Sequence, residues 1–179
     1  MSILKRSSGK MNEKDKLVGI ARFTDNQVQR KCRVPKIENI TDTEKEEYVT
    51  EQQHIAKMMQ EFPRTLPNAL DVVMREYYIR ENELAEDSNL DIKTIVRMRT
   101  NINYKPKLTT MIQLCIGLRV PAVICLALLE VSGFTLKFYG IEFAYYCIIT
   151  QKMGCTLEIC NKFLKGMGYP ALGKSDNIA

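Results

Sequence analysis

Thiols and imidazoles are the side chains best suited to metal binding or nucleophilic chemistry, and this 179-residue chain has six cysteines but a single histidine, His54. Cys32, Cys115, Cys125, Cys147, Cys155 and Cys160 contain no Cys-x-x-Cys pair. A zinc site needs clustered thiolates or imidazoles, and these are scattered. Cys115, Cys125, Cys147 and Cys160 fall inside apolar helical patterns, where a reduced thiol behaves as a small buried hydrophobe. His54 has no second histidine or paired cysteine to work with, so it reads as a solvated or hydrogen-bonded imidazole. A nucleophile elbow, a phosphate-binding glycine loop and an acid-partnered histidine are all missing. The expectation is a protein without enzymatic chemistry, metal or small-molecule cofactor.

What remains is charge. The chain carries a formal +5 with 26 % charged and 45 % apolar residues, ordinary for a globular protein and a mild pointer to an acidic partner. Residues 1–36 hold ten Lys/Arg against Glu13, Asp15 and Asp25, a net charge of +7. The segments "LVGIARF" and "VQRKCRV" flank a turn-like "TDNQ", so this stretch is either a small hairpin or a flexible basic arm. A second concentration lies between residues 91 and 107, where Lys93, Arg97, Arg99, Lys105 and Lys107 face one acid, Asp91. The N-terminal "MSILKRSSGK" lacks the apolar core of a signal peptide. The longest apolar run, "PAVICLALL", is well short of the ~20 residues that cross a bilayer. A cytoplasmic protein with no membrane association is expected.

These residues must be placed by helices. "TDTEKEEYVTEQQHIAKMMQEF", residues 41 to 62, reads as one, capped by Thr41 or Thr43, with acids in its first turn and Tyr48, Ile55, Met58, Met59 and Phe62 near helical spacing. "FPRTLP" breaks it. From Pro67 the pattern is helical almost throughout. "NALDVVMREYYI" sets Leu70, Val73, Met74, Tyr77 and Tyr78 on one stripe, and "ENELAEDS", "IKTIVRMRT" and "LTTMIQLCIGL" follow. "PAVICLALLEVSG" starts at Pro121, suited to a first helical turn, and stops at Gly133. Two more complete the chain: "GIEFAYYCIITQKM", then "TLEICNKFLKGMG", capped by Thr156 and closed by Gly166 or Gly168.

The junction of the two shortest helices is the most specific feature. In "ELAEDSNLDIKTIVRMRT" one helix stops at Ser88 and another starts at Ile92, a turn too short for an ordinary loop. Such a turn asks for a small residue in the first helix, met by Ala85, and a left-handed backbone position, for which Asn89 is the best substitute for glycine. Leu90 tucks under the turn, Asp91 can cap the next helix through the amide of Thr94 or its neighbour, and Leu84, Ile95 and Met98 return to the core.

This succession, with the basic loop "NINYKPKL", the helix "TTMIQLCIGLRV" and the closing "PAVICLALLE", strongly resembles the phage-repressor and Cro-like helix-turn-helix family, also called the XRE type. The resemblance runs from about Pro67 to Gly133, and Pro106 with Leu108 matches the family's entry into a fourth helix. It implies a DNA-binding regulator whose helix after Asp91 enters the major groove. Asp91 would sit at the rim, with Ile92, Lys93, Thr94 and Arg97 facing base edges: Arg97 toward guanine, Lys93 toward guanine or phosphate, Ile92 toward a thymine methyl. Arg99, Lys105 and Lys107 would grip phosphates. Double-stranded DNA, bound as a homodimer on two half-sites, is the partner the resemblance implies.

Two departures favour another reading. Glu81 stands where family members often carry a glutamine or other donor, and with Glu83, Glu86 and Asp87 it makes the first motif helix acidic, offset in part by Arg80. Residues 67–134 carry eight basic and eight acidic residues. The alternative is a degenerate helix-turn-helix scaffold acting as a protein–protein interaction module. The expected architecture is all-α: a five-helix repressor-like domain with one helix before it and two after. Its parts are a basic arm (1–40), a helix and linker (41–66), the helix-turn-helix domain (67–134) and a C-terminal extension (135–179). The extension is rich in Phe134, Leu136, Phe138, Tyr139, Ile141, Phe143, Tyr145, Tyr146, Ile148 and Ile149. It either covers the domain's apolar face or forms a dimer interface.

Overall fold

The computed structural model describes residues 41–151 and 154–173, so the hairpin or arm expected within residues 1–36 lies outside the described residues. The described residues form eight helices and no strand: α1 (Asp42–Gln60), α2 (Leu66–Glu76), α3 (Glu81–Ser88), α4 (Ile92–Thr100), α5 (Leu108–Leu118), α6 (Ala122–Val131), α7 (Gly140–Gln151) and α8 (Leu157–Gly166). The architecture is all-α. By its contacts the chain divides between Tyr48 and Val49 into two units, and α2 to α8 lie in the second.

α1 begins where the cap chemistry says it should. The Thr41 hydroxyl accepts from the Glu44 amide at 3.3 Å while the Glu44 carboxylate accepts from the Thr41 amide at 2.8 Å, a reciprocal capping box. The Thr41 hydroxyl also donates to that carboxylate at 2.7 Å, and this hydrogen bond, with the one from the Thr41 amide, holds the exposed Glu44 carboxyl below its usual range. Of the expected packing face only Ile55 is buried; Met58, Met59 and Phe62 are half-buried and Tyr48 is exposed. His54 lies 3.7 Å from a Glu76 carboxylate oxygen, a surface contact.

α2 buries Leu66, Ala69, Leu70, Val73 and Met74. The expected stripe ends earlier than the spacing suggested, because Tyr78 adopts a left-handed backbone (φ 55) that turns its ring into solvent, 90 % exposed. α5 is the hub. Every residue from Met111 to Leu118 is buried, and the helix packs against α3, α7 and α8. A helix apolar all round belongs at the centre of a bundle rather than on its surface. α2 packs on α4 and α6, and α7 on α5 and α6. The extension therefore covers the fourth and fifth helices of the motif domain, with Leu136, Ala144, Tyr145, Cys147, Ile148 and Ile149 buried. Phe138 and Tyr139 remain exposed, Phe138 lying edge-on to Tyr146 at 5.1 Å.

Thr156 caps α8 by accepting from the Ile159 amide, and the chain leaves the helix through Gly168 (φ 77). Asn161 then clamps the returning tail, donating to the Leu172 carbonyl at 3.0 Å and accepting from its amide at 2.7 Å, which buries Leu172. At the seam of α5 and α6 the thiols of Cys115 and Cys125 each point at the other's carbonyl at 3.8 Å. The hydrogen bond with Cys125, reinforced by burial, holds the Cys115 thiol well above its ordinary range. Among the described residues no group of three His, Cys, Asp or Glu could hold a metal ion, and no helix is long and apolar enough to cross a membrane.

Candidate nucleic-acid interface

The turn between α3 and α4 is built as the residue types demanded. Asn89 is left-handed (φ 53, ψ 38), and the Leu90 amide reaches back to the Ala85 carbonyl at 3.2 Å, closing the C-terminus of α3. Asp91 caps α4, its carboxylate accepting from the Lys93 amide at 2.7 Å rather than from Thr94. Leu84, Ile95 and Met98 are fully buried and Leu90 is half-buried.

Two residues absent from the sequence-based expectation hold this turn to the core. Gln113, buried on α5, donates to the Ser88 carbonyl at 3.1 Å and the Asn89 carbonyl at 3.5 Å. It thus satisfies acceptors that the end of α3 leaves open. Gly117 lets α5 and α3 touch: a Cβ there would stand 2.7 Å from the Ser88 Cβ and 2.8 Å from its nitrogen. Ser88, whose hydroxyl turns inward to the Leu84 carbonyl, is thus the point of closest approach between α3 and α5. A glutamine and a glycine inside an otherwise greasy helix were the available signals.

The outward face of α4 carries Ile92, Lys93, Val96, Arg97 and Thr100, all exposed. Of the residues expected to face outward, Thr94 is instead half-buried. Lys93 and Arg97 lie one turn apart on the same side, and neither enters an ion pair among the described residues. Lys105 and Lys107 are likewise exposed, on either side of the buried Pro106, in a loop tightened by the Asn101 side chain accepting from the Asn103 amide at 2.9 Å.

Arg99 is the exception in the basic set. Expected at phosphates, it pairs instead with Asp71 of α2 and Glu81 of α3, joining three helices, and its side chain is 29 % exposed. The hydrogen bond to Asp71 raises the already high guanidinium pKa against the opposing effect of partial burial, and Glu81 adds to it. This network also explains why an acid occupies position 81. The other acids of α3 are partnered too: Asp87 with Arg119 at 2.6 Å and Glu83 with Arg80 at 3.8 Å, leaving Glu86 exposed. The acidity counted in the sequence is thus largely neutralised within the fold.

Comparison of the chain with family models, with curated proteins and with solved structures finds no match. The functional reading rests on this geometry.

Proposed function

We propose that the protein is a sequence-specific binder of double-stranded DNA, acting in transcription regulation, with α4 in the major groove and the loop lysines on the phosphate backbone. The observation that carries this reading is the separation of charge around one turn. Three of the four acids of α3 are taken up by arginines, while Lys93 and Arg97 stand exposed and unpaired on the helix that the turn projects. That helix is short, capped and anchored through Ile95 and Met98, as a groove-reading element must be. Arg97 would address guanine through its paired donors, Lys93 a guanine or phosphate, and Asp91 would stay at the rim. Lys105 and Lys107 would set register without reading sequence. Arg99 is removed from the contacting set.

Selection of bound duplexes from a random pool, followed by titration across salt concentrations, tests the reading. A duplex binder loses affinity steeply with salt, and Lys105→Ala or Lys107→Ala each lowers the salt slope by about one while weakening all sequences alike. The Lys93→Ala/Arg97→Ala double variant relaxes sequence preference, at roughly 1–3 kcal/mol per lost base contact. Unchanged binding in that double variant removes α4 from the groove.

A protein-interaction module is the second reading, and one observation favours it: Ile92, Val96 and Ile102 form exposed apolar surface on and beside α4. Salt-insensitive association of the full chain with a protein ligand, abolished by Ile102→Asp, would favour it over DNA.

A further inference from the structure

We infer that α4 reads the 5-methyl group of thymine through an apolar pair, Ile92 and Val96, set beside its basic pair; this rests on the DNA-binding reading above and names what the groove must contain. Ile92 is 39 % and Val96 37 % exposed. Both are β-branched and one helical turn apart, so their side chains line one strip of the outward face. Ile95 and Met98, at 0 % exposure, are the residues of this helix buried in the core, whereas Ile92 and Val96 each keep more than a third of their surface open to solvent. They are not residues that a solvated helix face favours, since β-branched side chains lose rotamer freedom there.

Their neighbours identify the occupant. Each apolar residue is followed by a cation, Ile92 by Lys93 and Val96 by Arg97, so the exposed face repeats an apolar–basic pair once per turn. An apolar protein patch laid on this strip would desolvate two unpaired cations with nothing to offset the cost. The major groove satisfies both halves of the pattern. Its phosphates and guanine acceptors suit the cations, and the thymine methyl is its apolar feature. Successive pairs, four residues apart, lie about 6 Å apart along the helix against about 3.4 Å per base step. The bound half-site is therefore a short element in which thymine accompanies guanine at two places about two base pairs apart. Val96 is a specificity-determining residue in this scheme.

The test uses the full chain and the duplexes it selects from a random pool. Each thymine of the half-site is replaced in turn by uracil, which removes the methyl and keeps the pairing. The wild-type protein is expected to bind about fourfold more weakly at each thymine whose methyl is buried by an apolar side chain. Val96→Ala, checked for native helicity by circular dichroism, is expected to keep salt-dependent binding and lose the uracil sensitivity at one position, and Ile92→Ala at the other. Equal affinity for every uracil duplex overturns the inference, as does undiminished sensitivity in both variants. If salt-dependent binding is present in those experiments, the DNA reading survives its failure. If no duplex is enriched at all, the DNA reading falls first and this inference with it.

Discussion

Helices α3 and α4 flank the same three-residue turn and are both charged, one with acids and one with bases, yet they use that charge in opposite ways. Three of the four acids of α3 are paired within the fold: Glu81 with Arg99, Glu83 with Arg80, Asp87 with Arg119. The two outermost cations of α4, Lys93 and Arg97, are committed to nothing in the described chain. Counting charges over residues 67–134 gives neutrality; sorting them by partner ties most of the α3 acids into the fold and leaves two α4 cations exposed. A surface potential is set by the charges left over after pairing, and pairing is a tertiary property.

The contrast can be broken most severely at the seat of α3. Gly117→Ala drives a methyl into the Ser88 backbone, where neither helix can yield without shifting α3, and should cost about 3 kcal/mol in urea unfolding. Next is the turn itself. Asn89→Ala places a Cβ-bearing residue without asparagine's local hydrogen-bonding in a left-handed conformation and should cost about 1–2 kcal/mol, whereas Asn89→Gly should be close to neutral. An equal loss in both variants would mean that the Asn89 side chain, not its backbone angle, holds the turn. Arg99→Ala leaves Asp71 and Glu81 facing one another without their cation. The site is partly open to water, so about 1 kcal/mol is expected, with a loss that shrinks in high salt. Smallest of all, Lys93→Ala and Arg97→Ala should each change stability by no more than about 0.5 kcal/mol while altering DNA binding. A stability loss as large as that of Arg99→Ala would show that α4 spends its charges as α3 does.

Local chemistry made much of this legible before the coordinates. The bounds of α3, α4 and α5, the left-handed Asn89 and the caps at Thr41, Asp91 and Thr156 all follow from residues within a few positions of the feature they determine. What stayed hidden was long-range. Arg99 finds partners 28 and 18 residues back, and Gln113 closes carbonyls 25 and 24 residues away. No periodicity encodes such meetings; they arise only once α5 is threaded through the bundle. Tyr48 and Tyr78 misled for the related reason that an aromatic at helical spacing need not lie on a buried stretch of helix. Val96 was overlooked although it stands four residues after Ile92, because an apolar residue beside Ile95 is naturally assigned to the interior.

The seam where Cys115 meets Cys125 makes this bundle self-reporting. Cys115 and Cys125 are both buried at this seam, so an alkylating reagent reaches them only when the bundle opens there. Half-exposed Cys155, by contrast, lies open to the same reagent on the closed molecule. The ratio of the two labelling rates therefore clocks the breathing of the central helix in the native protein, with no denaturant and no engineered probe.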